Sequence, residues 1–237
     1  GGTTSLTVTV PAGASYQPIS VTASNLTGYS ARPFIVTFPG GAPITQNPDQ
    51  TQNSFAPKID STTGLLPHGV TLSDFDGDGR PDIATSNNFS ITGEPSSVSL
   101  LRNTSTVGNI SFTQHQDIPT GVMTYAVAAG DLDGDGKPDL VSTSIVDKTI
   151  SVFKNTSTTG NISFAPKTDY ASGTNAYSIA ITDLDLDGKP EIVVANNLSN
   201  TISVYRNTST AGNLSFAAKV DYMTALAPHF VAAGDLD

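Results

Sequence analysis

The stretch DFDGDGRPD at residues 74–82 places four carboxylates in nine residues, and it recurs as DLDGDGKPD at 131–139 and DLDLDGKPE at 183–191. A fourth copy begins as DLD at 235–237. Together these copies hold 14 of the 21 acidic residues. The net charge of -10 is therefore concentrated in a few loops, and it does not indicate a nucleic-acid partner.

The pattern D-x-D-x-D-G-x-x-D suits a hard cation that needs several oxygen ligands at short range. Side chains at positions 1, 3 and 5 converge, glycine at position 6 permits a sharp turn, and the carbonyl of position 7 and the acid of position 9 complete the shell. An all-oxygen set in a flexible loop favours calcium over magnesium, at about one ion per complete loop. The predicted ligands are Asp74, Asp76, Asp78, the Arg80 carbonyl and Asp82 in loop one; Asp131, Asp133, Asp135, the Lys137 carbonyl and Asp139 in loop two; Asp183, Asp185, Asp187, the Lys189 carbonyl and Glu191 in loop three; and Asp235 and Asp237 in the incomplete fourth loop.

Solvated turns and helix-flanked calcium loops fit this pattern less well. Solvated Asx turns need one aspartate rather than four at fixed spacing. An EF-hand or dockerin loop is followed by a helix, whereas here proline occupies position 8 and β-type residues follow. Loop three departs from the pattern at Leu186, where the other loops have Gly77 and Gly134, and at Glu191. Because each loop fills its own ligand positions, we expect a structural ion rather than a catalytic one.

The loops lie within a repeat of 52 residues, the spacing of Asp131, Asp183 and Asp235. The first interval, from Asp74, is 57 because five extra residues precede Asn103. Each unit predicts a half-buried strand before the loop, with apolar pairs such as Val70/Leu72, Val127/Ala129, Ile179/Ile181 and Val231/Ala233. A strand after the loop and a third at SVSLL, TISVF or TISVY follow, and NISF or NLSF, running on towards APK, predicts the fourth. Four antiparallel strands per unit predict the blades of an all-β propeller.

Composition limits the function classes. The 237 residues include 21 glycines, 15 prolines and no cysteine, which excludes a disulfide framework and a cysteine-ligated zinc site. No apolar run is long enough for a membrane-spanning helix. His68 and His229 occupy the positions of Tyr125 and Tyr177, which predicts packing, and His115 has no evident catalytic partner in the sequence. We therefore expect a protein that is not an enzyme.

Residues 54–237, with their repeated calcium-type loops between strands, resemble FG-GAP or VCBS repeats, the blades of integrin α-subunit propellers and of many bacterial surface proteins. The resemblance implies a propeller segment of a longer extracellular, secreted or cell-surface protein of a bacterium. Millimolar calcium outside cells would support such loops, which agrees with this location.

The front of the chain predicts a separate unit. Residues 3–38 alternate apolar and polar positions, and residues 1–40 resemble part of an IPT/TIG Ig-like domain. The expected fold there is a partial β-sandwich, and residues 41–53, GAPITQNPDQTQN, predict a linker.

Three functions follow from the resemblance. The first is non-enzymatic adhesion or recognition of a protein or glycan ligand. The second is a structural subunit of an extracellular stalk or filament, which self-associates through exposed strand edges. The third is an accessory module of a secreted polysaccharide-degrading enzyme. Fold alone does not choose among them.

Overall fold

A computed structural model of the chain describes residues 20–23, 26–29, 58–88 and 96–234. The chain divides into two compact units, Gly1–Lys58 and Ile59–Asp237. In the first unit the described residues form one antiparallel hairpin of β1 (Ser20–Ala23) and β2 (Leu26–Tyr29). The rest of the predicted Ig-like domain and the linker at 41–53 lie outside the described residues.

The second unit contains three four-stranded antiparallel sheets, each built from four consecutive strands. We call them blade one, which is β3 (Pro67–Ser73), β4 (Asp82–Asn87), β5 (Ser97–Leu101) and β6 (Gln116–Pro119); blade two, which is β7 (Thr124–Gly130), β8 (Asp139–Ser144), β9 (Thr149–Phe153) and β10 (Thr168–Ala171); and blade three, which is β11 (Ala176–Thr182), β12 (Glu191–Asn196), β13 (Thr201–Tyr205) and β14 (Val220–Met223). The described residues are all-β, as predicted, and the sheets are consistent with the blades of a partial propeller. Among them, no helix is long and apolar enough to cross a membrane.

Two apolar cores lie between consecutive blades. Strands β3, β7 and β11, the first of each blade, are neighbours, so the blades pack side by side in chain order. One face of blade one and the facing side of blade two bury Phe75, Ala84, Val98, Leu100, Val127, Leu140, Phe153 and Ile162. The other face of blade two and the facing side of blade three bury Leu132, Val141, Ile150, Val152, Ala176, Ile192, Val194 and Tyr205. Each interior core therefore needs side chains from two repeats.

The fourth strand of each blade lies further along the chain than the sequence predicted. The segments NISF and NLSF make only isolated bridges, such as Asn103 to Phe112, and the fourth strands begin at Gln116, Thr168 and Val220. Side chains satisfy the backbone of these segments, because Ser105 Oγ both donates to the Ser111 carbonyl and accepts from the Ser111 N–H. These local side-chain hydrogen bonds compete with the backbone hydrogen bonds of a regular strand pair.

Blade one also corrects the prediction that the apolar side of every first strand is the buried one. Val70 and Leu72 are exposed, whereas Val127 at the equivalent position of blade two is buried. The difference arises because Val127 packs in the core shared with blade one, while no described blade covers β3 on that face. Val231 and Ala233, which predicted a further first strand, form no strand within the described residues 228–234.

A ladder of four rings crosses the first strands. Tyr125 stacks on Tyr177 with ring centroids 4.4 Å apart, whereas His68 contacts Tyr125 at 3.6 Å and His229 contacts Tyr177 at 4.9 Å in tilted arrangements. The packing role predicted for the two histidines is thereby confirmed, because each repeat contributes one ring to a contact between neighbours.

Candidate metal centre

Each acidic loop joins the first and second strands of a blade, so its first and last residues are held by the sheet. Loop one connects β3 to β4, loop two connects β7 to β8, and loop three connects β11 to β12. The glycines at position 6, Gly79, Gly136 and Gly188, have φ of 86°, 84° and 84°, a conformation that glycine adopts without a Cβ penalty. The sharp turn predicted at this position is present in all three loops.

Carboxylates converge in every loop, although the three sets differ. Ligand-type atoms lie within 4.8 Å of one another in the sets Asp74, Asp76 and Asp78; Asp131, Asp133 and Asp139; and Asp183, Asp185 and Glu191. The predicted residues Asp82, Asp135 and Asp187 stand outside these sets. Asp235 and Asp237 lie outside the described residues.

The acid at position 9 holds the loop closed. In loop one, Asp82 accepts hydrogen bonds from the backbone N–H of Phe75 at 2.9 Å and of Asn103 at 2.8 Å, one on each carboxylate oxygen. Asp139 repeats this arrangement with Leu132 at 3.0 Å and Asn155 at 2.8 Å. Glu191 does the same with Leu184 at 2.8 Å and Asn207 at 3.3 Å. The longer side chain of Glu191 therefore preserves the role that aspartate has in the other two loops.

The first acid of each loop organises the turn. Asp74 accepts from the N–H groups of Asp78 and Gly79, at 3.1 and 2.8 Å. In loops two and three, Asp131 and Asp183 make the equivalent bonds to the residues at positions 5 and 6. The turn thus directs carboxylates inward even where they repel one another.

Burial disfavours the charged form of the position-9 carboxylates of loops one and two. Burial raises the pKa of Asp82, and it raises the pKa of Asp139 to about 6, although backbone hydrogen bonds oppose the shift in both cases. Neighbouring aspartates add to the increase. A cation bound in either loop would stabilise the charged carboxylates and lower these pKa values.

One basic side chain from the end of the third strand approaches position 3 of each loop. Arg102 lies 3.6 Å from Asp76, Lys154 lies 2.5 Å from Asp133, and Arg206 lies 3.4 Å from Asp185. The hydrogen bond to Asp133 is the main reason that the pKa of Lys154 is raised. Because each loop has four carboxylates, one approaching basic residue, or two in loop one where Arg80 also contacts Asp78, leaves an excess of carboxylate oxygens, and this ligand set fits calcium.

The side chains at position 7 have different partners in loops one and two. The Lys137 ammonium donates to the Ser157 carbonyl at 2.8 Å, and the Arg80 guanidinium lies 3.3 Å from Asp78. Their backbone N–H groups, with that of Lys189, donate to the position-5 aspartates. The predicted use of the carbonyls of Arg80, Lys137 and Lys189 remains a prediction.

The blade that follows covers each interior loop. Gly160, in the short hairpin of blade two, donates its N–H to Asp76 Oδ2 of loop one at 2.9 Å. Lys154 contacts Asp133 and also donates to the Gly212 carbonyl of blade three at 2.6 Å. No described blade follows blade three. The Asp133 side chain is accordingly 0% exposed and that of Asp185 42% exposed.

Sequence reasoning overlooked three asparagines that hold the loops. Asn103, Asn155 and Asn207 begin the NTST segments that follow the third strands. All three are buried, and their side-chain amides donate to the carbonyls of Pro81, Pro138 and Pro190 at 2.8 Å. Their recurrence at the same position of every repeat is the sequence signal that could have identified them.

The prediction that His115 lacks a catalytic-type partner was wrong. His115 Nδ1 lies 2.9 Å from Asp117 Oδ1, and Ser99 Oγ donates to the same oxygen at 2.5 Å. Ser99 is fully buried, however, and its hydroxyl donates to the carboxylate at 2.5 Å, whereas His115 Nδ1 lies 3.4 Å from the same hydroxyl. A nucleophile would need its hydroxyl to donate to the imidazole and to be open to substrate. Blades two and three place Lys167 and Lys219 where blade one has His115. The arrangement is therefore a structural network repeated in each blade.

Comparison with known families agrees with this repeat structure. The model for an FG-GAP-like repeat matches residues 89–142, 141–194 and 183–237, and the model for an FG-GAP repeat matches residues 67–101. No curated protein matches the chain. Because the FG-GAP-like repeat matches extend over more than half of the sequence, the protein belongs to the FG-GAP-like repeat family.

Proposed function

We propose that the three blades form a calcium-stabilised, non-enzymatic recognition module of an extracellular protein. The observation that carries this proposal is the convergence of partly buried carboxylates in three equivalent loops. Each loop has only one approaching basic residue from its third strand, and burial raises the pKa of Asp82 and Asp139. A divalent cation is the partner that this chemistry needs.

The stabilisation expected from calcium supports an extracellular location. Extracellular calcium modules bind with Kd of about 0.1 to 1 mM. With Kd of about 0.1 mM and calcium at about 1 mM, each loop gains about 1.4 kcal/mol, and three independent loops gain about 4 kcal/mol. This is a large share of the stability of a domain, and it would be available outside a cell. Membership of the FG-GAP-like repeat family supports the same location.

The proposed ligand is a protein or glycan that binds at the loop-bearing side of the blades. Recognition there would depend on calcium because the ion fixes the loops that form this surface. The network of His115, Ser99 and Asp117 does not favour hydrolysis, since the serine is buried and its hydroxyl donates to the aspartate.

A binding array tests the proposal directly. The chain is applied to glycans and extracellular matrix proteins in millimolar calcium and again in EDTA, while circular dichroism monitors folding. We expect selective binding that EDTA removes, and a rise in the unfolding temperature with calcium. A folded chain that binds the same ligands equally in both buffers would contradict calcium-dependent recognition.

A structural role through self-association is the second candidate. Apolar side chains exposed on the faces of blades one and three favour association through these faces instead of through strand edges. Val70 and Leu72 are exposed on blade one, and Leu184 and Tyr222 on blade three. Equivalent positions meet each other at the interior interfaces, so the end face of one copy fits the opposite end face of a second copy. Sedimentation velocity should then show concentration-dependent association that Leu184→Glu abolishes. A monomer at all concentrations would contradict this candidate.

A further inference from the structure

The buried asparagines of blades two and three touch two acidic loops at once. The Asn155 side-chain amide donates one hydrogen bond to the Pro138 carbonyl in loop two, at 2.8 Å, and the other to the Phe75 carbonyl in loop one, at 2.9 Å. Asn207 repeats the arrangement with Pro190 in loop three and Leu132 in loop two, both at 2.8 Å. Each asparagine therefore bridges consecutive repeats.

These bonds form a continuous path between the position-9 acids of adjacent loops. Asp82 accepts from the N–H of Phe75, the carbonyl of Phe75 accepts from the Asn155 amide, and the N–H of Asn155 donates to Asp139. Every member of the path is buried, from Asp82 and Phe75 to Asn155 and Asp139. A change in the position of one loop is therefore transmitted to the next through hydrogen bonds that are shielded from bulk solvent.

The asparagine side chain has no freedom to absorb such a change. Both amide hydrogens of Asn155 are used, and its Oδ1 accepts from the N–H of Ser157 at 2.7 Å. Asn207 is held in the same way, with Oδ1 accepting from Ser209 at 2.9 Å. If either loop shifts to relieve the repulsion among its carboxylates, one of these bonds must lengthen.

From this geometry we infer that Asn155 and Asn207 couple the cation sites of neighbouring loops, so that an ion bound in one loop raises the affinity of the next. The inference rests on the proposed calcium binding and adds a role for residues that are not ligands. An ion in loop one fixes the Phe75 carbonyl and thereby the Asn155 amide, which then holds loop two in its closed form. Because coupling is reciprocal, loop two strengthens loop one by the same factor.

The test measures calcium affinity by calorimetry of the full chain after calcium removal. Asp183→Asn disables loop three and leaves loops one and two, and adding Asp74→Asn then leaves loop two alone. We expect loop two to bind calcium at least about fivefold more weakly once loop one is disabled, the lower end of typical coupling. With Asn155→Ala in both backgrounds, we expect disabling loop one to change the affinity of loop two less than about twofold.

Asn103→Ala is the matched control. Among the described residues, the Asn103 amide donates only to Pro81 in its own loop, so this variant loses a loop contact without losing a bridge. It should keep the full effect of Asp74→Asn on loop two. If Asn155→Ala does not fold, Asn207→Ala tests the same coupling between loops two and three, with Asp74→Asn as the background.

The possible results separate this inference from the proposed function. An unchanged effect of Asp74→Asn in the Asn155→Ala protein, or no effect of Asp74→Asn at all, overturns the coupling while leaving calcium binding intact. Absence of calcium binding in the unmodified chain overturns both.

Discussion

Loops two and three have nearly the same sequence and share the hydrogen bonds made by their position-1, position-5 and position-9 carboxylates, but they differ sharply in burial. Leu132, at position 2 of loop two, is 0% exposed, and Leu184 at the same position of loop three is 52% exposed. Asp133 and Asp185 differ in the same direction. The cause is the neighbour, because the hairpin of blade three covers loop two, while no described blade covers loop three. The motif determines the turn of the loop, and the following repeat determines its environment.

The largest difference should appear when position 2 is truncated. Leu132→Ala removes a fully buried side chain from the core between blades two and three, and we expect it to lower the free energy of unfolding by about 3 kcal/mol. Leu184→Ala should cost less than about 1 kcal/mol because half of that side chain already contacts water. Chemical denaturation in calcium measures both values. Equal losses for the two variants would show that the exposure of loop three is not maintained in solution.

The second prediction concerns pH and the buried acid of loop two. The pKa of Asp139 is raised to about 6 in the folded chain, above its ordinary value of 3.8. The folded state therefore binds more protons between these values, and stability must rise as pH falls. Without calcium, we expect lowering the pH from 7 to 5 to increase the free energy of unfolding by about 1 kcal/mol.

Two comparisons isolate this effect. Asp139→Asn should remove most of the gain, although Asp82, whose pKa is also raised, adds in the same direction. In saturating calcium the sign should reverse, because protons then compete with the ion for the carboxylate. Denaturation curves at both pH values measure these changes. A calcium-free chain that loses stability from pH 7 to 5 would contradict the burial of Asp139.

The third prediction, of about the same size as the second, concerns the backbone at position 4, where loop three has Leu186 and loop two has Gly134. Leu186 has φ of 59° and is 87% exposed, so it adopts a left-handed conformation without compensating packing. We expect Leu186→Gly to stabilise the chain by about 1 kcal/mol, as measured by denaturation. Leu186→Ala serves as the control and should have little effect, because it keeps the strain.

The reverse change tests the same idea in loop two. Gly134 has φ of 70°, and a Cβ added there would meet no atom within 4 Å, so Gly134→Ala imposes strain without a clash. It should destabilise the chain by about 1 kcal/mol. A neutral result for both Leu186→Gly and Gly134→Ala would mean that position 4 changes conformation freely in either loop.

Much of the local structure could be predicted because it depends on spacing within one repeat. The three loops, their position between strands and the all-β class follow from residues such as Asp74 and Gly79 and from alternating apolar positions. The fourth strand was placed too early because Ser105 and its equivalents satisfy the backbone locally, a contact that hydrophobic periodicity does not reveal. The bridging role of Asn155 could not be predicted, because its partner Phe75 lies 80 residues away. The exposure of Val70 depends in the same way on neighbouring blades.

The asparagine bridge also bears on how such a chain can change in length during evolution. Loops one and two each offer a carbonyl to the repeat after them, and blades two and three each provide an amide to the repeat before them. Both halves of such a bridge are therefore kept when a whole unit is duplicated or deleted. Recombination that keeps the 52-residue period joins a complete donor to a complete acceptor at the new junction. The bridge tolerates added length within a unit, because Phe75 and Asn155 are 80 residues apart whereas Leu132 and Asn207 are 75 apart. A crossover that separates a loop or its asparagine from the rest of the unit instead leaves a buried amide or carbonyl without its partner, which selects for arrays of whole units.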